Sequence, residues 1–351
     1  MMKKQMQKTH VTLFFRKPHA TGNFSIESSF MQMLQNFPEY SAFTLNTYTL
    51  KNYSHGLMTR IRGCIESFQQ GTDINHITGD IHYITLVLPA KRTLLTIHDC
   101  GFMRHPNRFA RQVLKFFWLS WPVKHCCYIS TVSEATRREI IAYTGCNPDK
   151  VIVIPTLIST SFKKHARVFN AARPRILHIG MAPNKNFERH VAALAGLSCE
   201  LHIIGQLKPE HITLLKTQGI QYQSQCNLSH EEMIQAYKDS DIMLFASTLE
   251  GFGMPIIEAQ ATGRVVVTSN ISSMPEIAGS GACLVDPFSV ASIQQGLQRV
   301  IEDTDYRNAL IHSGFDNAKR FSPEAIAKQY EALYQRIRDN TTPSVATPYL
   351  Q

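Results

Sequence analysis

Glu250 and Glu258 share one short segment, Glu250-Gly-Phe-Gly-Met-Pro-Ile-Ile-Glu258, with two glycines and a proline between them. Glycine lets a backbone come close to a ligand. Pro255 suits the first turn of a helix, where its missing N–H has no intrahelical partner to lose. The apolar run 241–245 just upstream reads as a buried parallel strand. Strand, glycine turn and helix together aim backbone N–H groups at an anion. Carboxylates beside an anion repel it unless they accept hydrogen bonds from hydroxyls. The spacing therefore suits a phosphorylated, polyhydroxylated ligand, with sugar and ribose hydroxyls as partners of the two glutamates.

Lys185 is the candidate cation. It lies in the loop 180–186 after a predicted strand at 175–179, and a lysine there is a compact charge suited to pyrophosphate. In the first half, His98 and Asp99 close a predicted strand, at the end where ligands of open α/β sheets bind. A histidine there can polarise a hydroxyl or orient an acceptor. Asn75-His-Ile-Thr-Gly-Asp80 is a second candidate for the acceptor side, or a simple turn. The loop 16–25, with Gly22, follows the first strand and can sit over a phosphate or an acceptor. Between Arg104 and Lys124, basic residues interleave with Phe109, Phe116, Phe117, Trp118 and Trp121. That mixture suits a membrane interface, or equally a core helix with a basic outer face. Asp239-Ser-Asp241 matches a metal-binding Asp-x-Asp, but it straddles a helix end and a buried strand and is read as structural. No Gly-x-Gly-x-x-Gly follows a strand and no Gly-x-x-x-x-Gly-Lys-Ser/Thr occurs. This argues against a dinucleotide-dependent oxidoreductase and a P-loop ATPase.

Such residues need a frame. The chain alternates short apolar runs with helical stretches, as parallel α/β domains do. Predicted strands are 11–15, 94–97, 128–132 and 151–154 in the first half. In the second half they are 175–179, 200–204, 220–223, 241–245 and 265–268. Ser25 can cap a helix to about residue 35, and Ser133 one over 134–143. Ser229-His-Glu-Glu232 is a capping box opening a helix to about residue 240. Residues 322–338 read as an amphipathic helix, the polar stretch 159–174 as a linker, and 340–351 as a flexible tail.

On these residues the chain resembles the retaining, nucleotide-sugar-dependent glycosyltransferases of family 4, also called group 1. The likeness runs from the Glu250–Glu258 segment through Ala261-Thr-Gly-Arg-Val-Val-Val-Thr268 and Met274-Pro-Glu-Ile-Ala-Gly279 to Cys283-Leu-Val-Asp-Pro287. It includes His178-Ile-Gly-Met-Ala-Pro-Asn-Lys-Asn186, with weaker echoes at Thr96-Ile-His-Asp99 and Thr131-Val-Ser-Glu134. The resemblance implies the GT-B fold, two doubly wound Rossmann-like α/β domains facing a cleft. Residues 1–165 would form the acceptor side and 166–321 the nucleotide-sugar domain, with the C-terminal helix packed back on the first. It further implies that Glu258 accepts from the ribose hydroxyls. Glu250 would contact the donor sugar near the reaction centre, Lys185 the diphosphate, and His98 the region of the donor sugar. Phe252, Gly253 and Met254 would present backbone N–H groups to the diphosphate. Many members carry an arginine directly after the glycine or just before the lysine. This chain has Met181 and Asn184 there, so that contact is absent or supplied by another residue such as Arg264.

The implied activity is retaining, metal-independent hexosyl transfer in cell-envelope or exopolysaccharide synthesis. The donor would be UDP- or GDP-linked and the acceptor a glycan or a lipid-linked sugar, with no cofactor. A GT-B epimerase or phosphorylase would share the phosphate site, as would a non-catalytic sugar-nucleotide-binding subunit, and these remain alternatives.

Composition agrees with two soluble domains. The chain has 351 residues, 44% hydrophobic and 18% charged. No apolar run of about 18 residues occurs, and the basic N-terminus leads into no long apolar core. Neither a transmembrane helix nor a secretory signal is expected. The eight cysteines show no Cys-x-x-Cys spacing and read as reduced thiols of a cytoplasmic protein. The net charge of +9 is uneven: residues 1–165 carry 20 Lys+Arg against 9 Asp+Glu, and the remainder 16 against 18. Such asymmetry suggests an anionic partner for the first half, the alternative being a solvated basic face. An acidic membrane at the inner face of the cell or a lipid-pyrophosphate acceptor fits. Nucleic acid does not, since no recognition module accompanies the charge.

Overall fold

The computed structural model describes residues 8–18 and 25–341. The chain divides into two compact units. The first takes residues up to Val132, Thr136–Pro155 and the chain from Glu324 onward; the second takes Ser133–Ala135 and Thr156–Pro323.

Unit 1 is built on a six-stranded sheet ordered β2-β1-β3-β4-β5-β6. The strands are β1 (Thr9–Phe15), β2 (Phe43–Thr49), β3 (Ile74–Ile77), β4 (Thr93–Ile97), β5 (Tyr128–Thr131) and β6 (Val151–Val153). Its helices are α1 (Ser25–Gln35), α2 (Leu57–Gln70), α3 (Arg108–Leu114), α4 (Trp121–His125) and α5 (Glu134–Thr144). A π-helical segment, Lys115–Ser120, joins α3 to α4. Unit 2 repeats the plan in the order β12-β11-β10-β7-β8-β9. Its strands are β7 (Arg175–Ile179), β8 (Glu200–Ile204), β9 (Tyr222–Gln225), β10 (Ile242–Phe245), β11 (Val265–Ser269) and β12 (Cys283–Val285). Its helices are α6 (Phe187–Leu194), α7 (Pro209–Thr217), α8 (His230–Lys238), α9 (Met254–Thr262), α10 (Met274–Ala278), α11 (Val290–Glu302) and α12 (Thr304–Ala318). All pairings are parallel.

Inner strands are covered on both faces, so they read as continuous apolar runs. Ile242-Met-Leu-Phe245 and Val265-Val-Val-Thr-Ser269 are buried at every position. Edge strands are different. In β9, Tyr-Gln-Ser-Gln is mostly exposed, and β2 is half open. Strands β2, β3 and β12 escape the apolar-run criterion used for the sequence, as does helix α2. The capping box at Ser229 does form: Ser229 Oγ accepts from Glu232 N at 3.2 Å and Glu232 Oε2 from Ser229 N at 2.7 Å.

In each sheet the strand order reverses once, between β1 and β3 and between β7 and β10. Loops leaving the C-terminal ends of the two strands at a reversal part from each other and leave a crevice, the usual ligand site of an open α/β sheet.

Two segments depart from the sequence reading. The stretch 159–174 is not a bare linker, because Phe162 is buried with its ring edge-on to Tyr237 at 5.4 Å, and Ile158 N donates to Phe321 O at 2.8 Å. The unit boundary accordingly falls at Pro155 rather than at 165. Asn75 and His76 are not loop residues but lie fully buried in β3. His76 bonds Tyr334 Oη and Thr96 Oγ1, each at 2.7 Å, and Thr96 Oγ1 continues to Ser130 Oγ at 2.6 Å. Tyr334 belongs to α13 (Pro323–Thr341), which packs Tyr330 and Tyr334 against this sheet within unit 1. Among the described residues no helix is long and apolar enough to cross a membrane. All eight cysteines are unpaired.

Candidate active site

In unit 2, β7 and β10 are neighbours, with Ile176 beside Ile242 and Leu177 beside Met243. The loops that follow them meet. Lys185 Nζ lies 2.7 Å from Glu250 Oε1, an ion pair whose side chains are only 21% and 13% exposed. The ammonium also sits 4.7 Å from the Phe245 ring centroid. Gly180 has φ +89°, and a Cβ there would come within 3.2 Å of the Lys185 side chain. Glycine therefore allows both the turn and the lysine's path across it. Asn184 Nδ2 donates to Leu249 O at 2.8 Å and to Glu250 Oε1 at 3.3 Å, while Thr248 N donates to Asn184 O at 2.8 Å. Asn184, at one position where the family often has arginine, thus ties the two loops together. Met181, at the other, packs on the unit 2 core over Gly205.

The turn after Glu250 is held from the loop that joins β11 to α10. Ser272 Oγ donates to Glu250 O at 2.8 Å, and Ser273 Oγ reaches Glu250 O at 3.0 Å and Phe252 O at 2.7 Å. Phe252 is buried edge-on to Phe321, so it can offer a ligand only its backbone. Gly253, with φ +114°, is the N-cap of α9, and Met254 and Pro255 begin the helix. The positive end of the α9 dipole and its first-turn N–H groups therefore lie beside Lys185 and Glu250.

Glu258 sits one turn into α9, half-buried, with Oε2 accepting from Tyr237 Oη at 2.6 Å. Burial pushes its carboxyl up to about 7, against a smaller downward pull from the Tyr237 hydrogen bond. Beneath the β7 loop, His178 Nε2 bonds Gly180 O at 2.8 Å and His178 Nδ1 faces His190 Nδ1 at 3.0 Å. A carbonyl only accepts, so His178 carries its proton on Nε2 and His190 donates from Nδ1. Burial lowers His178 to about 4 and His190 well below its ordinary value, which keeps the pair neutral.

Arg264 is a correction. It lies at the N-terminal end of β11, opposite the end that carries the glutamates. Its two Nη atoms donate to the carbonyls of Ser240, Thr262 and His165, and the residue is only 4% exposed. It fastens loops and cannot stand in for the missing arginine. At the same end, Asp241 is engaged by Arg167 at 2.7 Å and by Arg175 N at 2.8 Å. Among the described residues no group of three or more metal-ligating side chains occurs.

In unit 1, His98 and Asp99 follow β4. His98 Nε2 bonds Thr78 O at 2.8 Å, and exposed Asp99 accepts from Gly101 N at 2.7 Å. Asp99 lines a cleft of about 440 Å³ together with Arg16, Lys17, Tyr53, His55 and Asp80. Arg16 and Lys17 follow β1 and Asp80 follows β3, so the cleft lies at the reversal of this sheet. Of Asn75–Asp80, only the last residues reach the loop. Gly22 lies outside the described residues. The structure therefore brings Lys185, Glu250, Phe252, Gly253, Met254 and Glu258 together on unit 2, and places His98 and Asp99 on unit 1. Sequence reasoning missed Tyr237, Ser272, Ser273 and Asn184 as partners of the glutamates. None has a local signal, since each acts on a residue 21 or more positions away.

The profile of Glycosyltransferase Family 4 matches residues 7–162, and that of Glycosyl transferases group 1 matches residues 161–316. An MMP alpha-(1->4)-mannosyltransferase of Mycolicibacterium hassiacum is 28% identical over 252 residues, 67% of this chain and 57% of that protein. The O-antigen chain mannosyltransferase B of Escherichia coli is 25% identical over 272 residues, 70% of this chain and 71% of that protein. The chain thus matches little more than half the length of the first relative. Among solved structures, sucrose-phosphate synthase from Thermosynechococcus elongatus superposes with TM-score 0.74 at 15% identity, covering 95% of this chain and 100% of that one. Anabaena Alr3699/HepE in complex with UDP and glucose gives 0.73 at 13% identity, covering 93% and 100%. At these identities the structural likeness speaks for the fold alone.

Proposed function

The chain belongs to the group 1 glycosyl transferases of Glycosyltransferase Family 4 and has their GT-B fold, and from that premise we propose that it transfers a hexosyl group from a nucleotide-sugar donor. The acceptor is a cell-envelope glycan or lipid-linked sugar. The observation that carries this reading is the Lys185–Glu250 pair at 2.7 Å, set against the Gly253-opened end of α9 at the β7/β10 reversal. A cation and a helix N-terminus suit a diphosphate, and carboxylates on either side of it suit hydroxyls.

In the reaction, the bond from the anomeric carbon to the diphosphate oxygen breaks and negative charge grows on the diphosphate. Lys185 and the first-turn N–H groups of α9 are placed to stabilise that charge more in the transition state than in the bound donor. Glu250 holds the sugar, and Glu258 the ribose. The acceptor oxygen bonds the anomeric carbon from the face the diphosphate leaves, and its proton passes to the departing phosphate. Retention and independence of metal are part of the proposal. The resemblance supports both, and the ion pair of Asp241 with Arg167 gives Asp239-Ser-Asp241 a structural role. Because both curated relatives above are mannosyltransferases, a mannosyl donor is the first to test. Peripheral contact with an anionic membrane is proposed for the region 104–124, where Phe109 is 80% and Phe116 51% exposed.

The test is thermal unfolding with UDP, GDP, ADP and their mannosyl and glucosyl conjugates, with and without EDTA. A ligand that binds only the native state raises the unfolding temperature. A rise with one nucleotide family, unchanged by EDTA, is expected. No rise with any nucleotide in folded protein would reject the donor site.

A further inference from the structure

An amphipathic helix normally turns its apolar stripe onto the core. Helix α2 leaves part of its stripe open. Leu57, Ile61, Ile65 and Phe68 recur at helical spacing and are 72%, 44%, 52% and 69% exposed. Facing them, Val113 and Phe117 of α3 and the π-helical segment are 41% and 44% exposed. Together they line a groove of about 770 Å³, within the range of roughly 300–1,000 Å³ typical of small-molecule sites. Apolar surface on this scale marks a binding surface more often than a bare face.

The groove does not end blindly. Leu114 and Trp118 line it and also line the polar cleft of about 440 Å³ at the β1/β3 reversal, so one wall separates an apolar channel from a polar one. At that wall the Arg60 guanidinium lies 4.7 Å from the Trp118 ring. The polar side carries Lys17, with Nζ 4.8 Å from the Tyr53 ring, and Arg16, paired with Glu27 at 2.8 Å and Asp80 at 3.5 Å. Asp99 and His55 complete it. Cations suit a phosphate, carboxylates suit sugar hydroxyls, and the groove alongside suits a hydrocarbon chain.

We propose that unit 1 binds its acceptor as a single-chain anionic lipid, an acyl or isoprenoid chain carrying a phosphate-linked sugar, with the chain in the α2 groove and the head in the adjoining cleft. Charge complementarity and the shared wall select this occupant over a purely apolar ligand. The π-helical segment carries Phe117 and Trp118 to the two cavities in succession, and such segments are frequent at functional sites. The inference rests on the glycosyl-transfer reading only in calling the lipid an acceptor.

The chain has two tryptophans, Trp118 and Trp121, so in a Trp121→Phe background fluorescence reports on the shared wall alone. The probes are hexyl phosphate, decyl phosphate, decanol and inorganic phosphate, all as monomers, and anionic phosphatidylglycerol vesicles. Each buried methylene tightens binding roughly threefold to fourfold. Decyl phosphate should therefore give a saturable change and bind more than about tenfold tighter than hexyl phosphate. Ile65→Asp should abolish that chain-length dependence without lowering the unfolding temperature. Lys17→Ala should weaken decyl phosphate and leave decanol unchanged. A response equal to that of inorganic phosphate overturns the groove, as does no response. So does a response to vesicles alone, which would make this face a flat membrane contact. Nucleotide binding followed in the same samples keeps a failure of the lipid site distinct from a failure of the donor site.

Discussion

Lys185 and Glu250 hold each other at 2.7 Å in a site where both are largely shielded from water. Removing either one leaves the other charge without its partner, and that costs more than the loss of an exposed pair. Lys185→Ala and Glu250→Ala should each lower transfer at least about tenfold, a loss of roughly 1.4 kcal/mol or more from the transition state. Because the two act as a unit, the double variant should fall short of the product of the single effects. Initial rates with a matched donor and acceptor test this, and near-wild-type turnover in both single variants would sink the site assignment. Glu258 makes a separate prediction. Its carboxyl is raised from the usual 4.5 to about 7 by burial. The native state therefore holds its proton more tightly than the unfolded chain, and the associated stability is present at low pH and lost as pH rises to about 7. Only the ionised form offers all its lone pairs to ribose hydroxyls. Nucleotide affinity should accordingly rise across pH 6 to 8 by titration calorimetry, and Glu258→Gln should flatten that rise and improve stability more at pH 8 than at pH 5.

At the scale of elements, the turn into α9 depends on a backbone conformation that side chains resist. Gly253 has φ +114°, and a Cβ there would meet Ile256 Cδ1 at 3.1 Å. Gly253→Ala should cost about 1–3 kcal/mol in denaturant unfolding and weaken nucleotide binding, because any relief of the strain swings the first-turn N–H groups off the anion. An unfolding curve that superposes on wild type would show that the turn tolerates a side chain. This turn was legible in the residues themselves, since glycine, glycine and proline at fixed offsets leave few alternatives. The inner strands β7, β8, β10 and β11 were legible for a related reason, as burial on both faces makes them apolar throughout. Strand β2 was not, because an edge strand open to water lacks that pattern. Asn75 and His76 do not read as a buried strand because they are polar, whereas in the fold His76 is satisfied by Tyr334 and Thr96, far away in sequence.

At the scale of the molecule, that histidine also ties down α13, the last described helix. Tyr334 of α13 is fully buried in unit 1 and its hydroxyl bonds His76 Nδ1 at 2.7 Å. Tyr334→Ala should destabilise by about 3–5 kcal/mol through the cavity, and Tyr334→Phe by about 1–3 kcal/mol through the orphaned ring nitrogen. Equal, small effects of the two in equilibrium unfolding would show that the helix is dispensable. Helix content, the inner strands, the glycine turn into α9 and the paired glutamates were determined by local sequence, because propensity, burial period and glycine placement act over a few neighbouring residues. Which strands lie side by side was not. Nothing within residues 175–186 says that β7 will neighbour β10, so nothing local could place Lys185 and Asn184 against Glu250, Tyr237 under Glu258, or Arg264 at the wrong end of its strand. Parallel strands must be joined by distant crossovers, and their order is chosen by the packing of the whole domain.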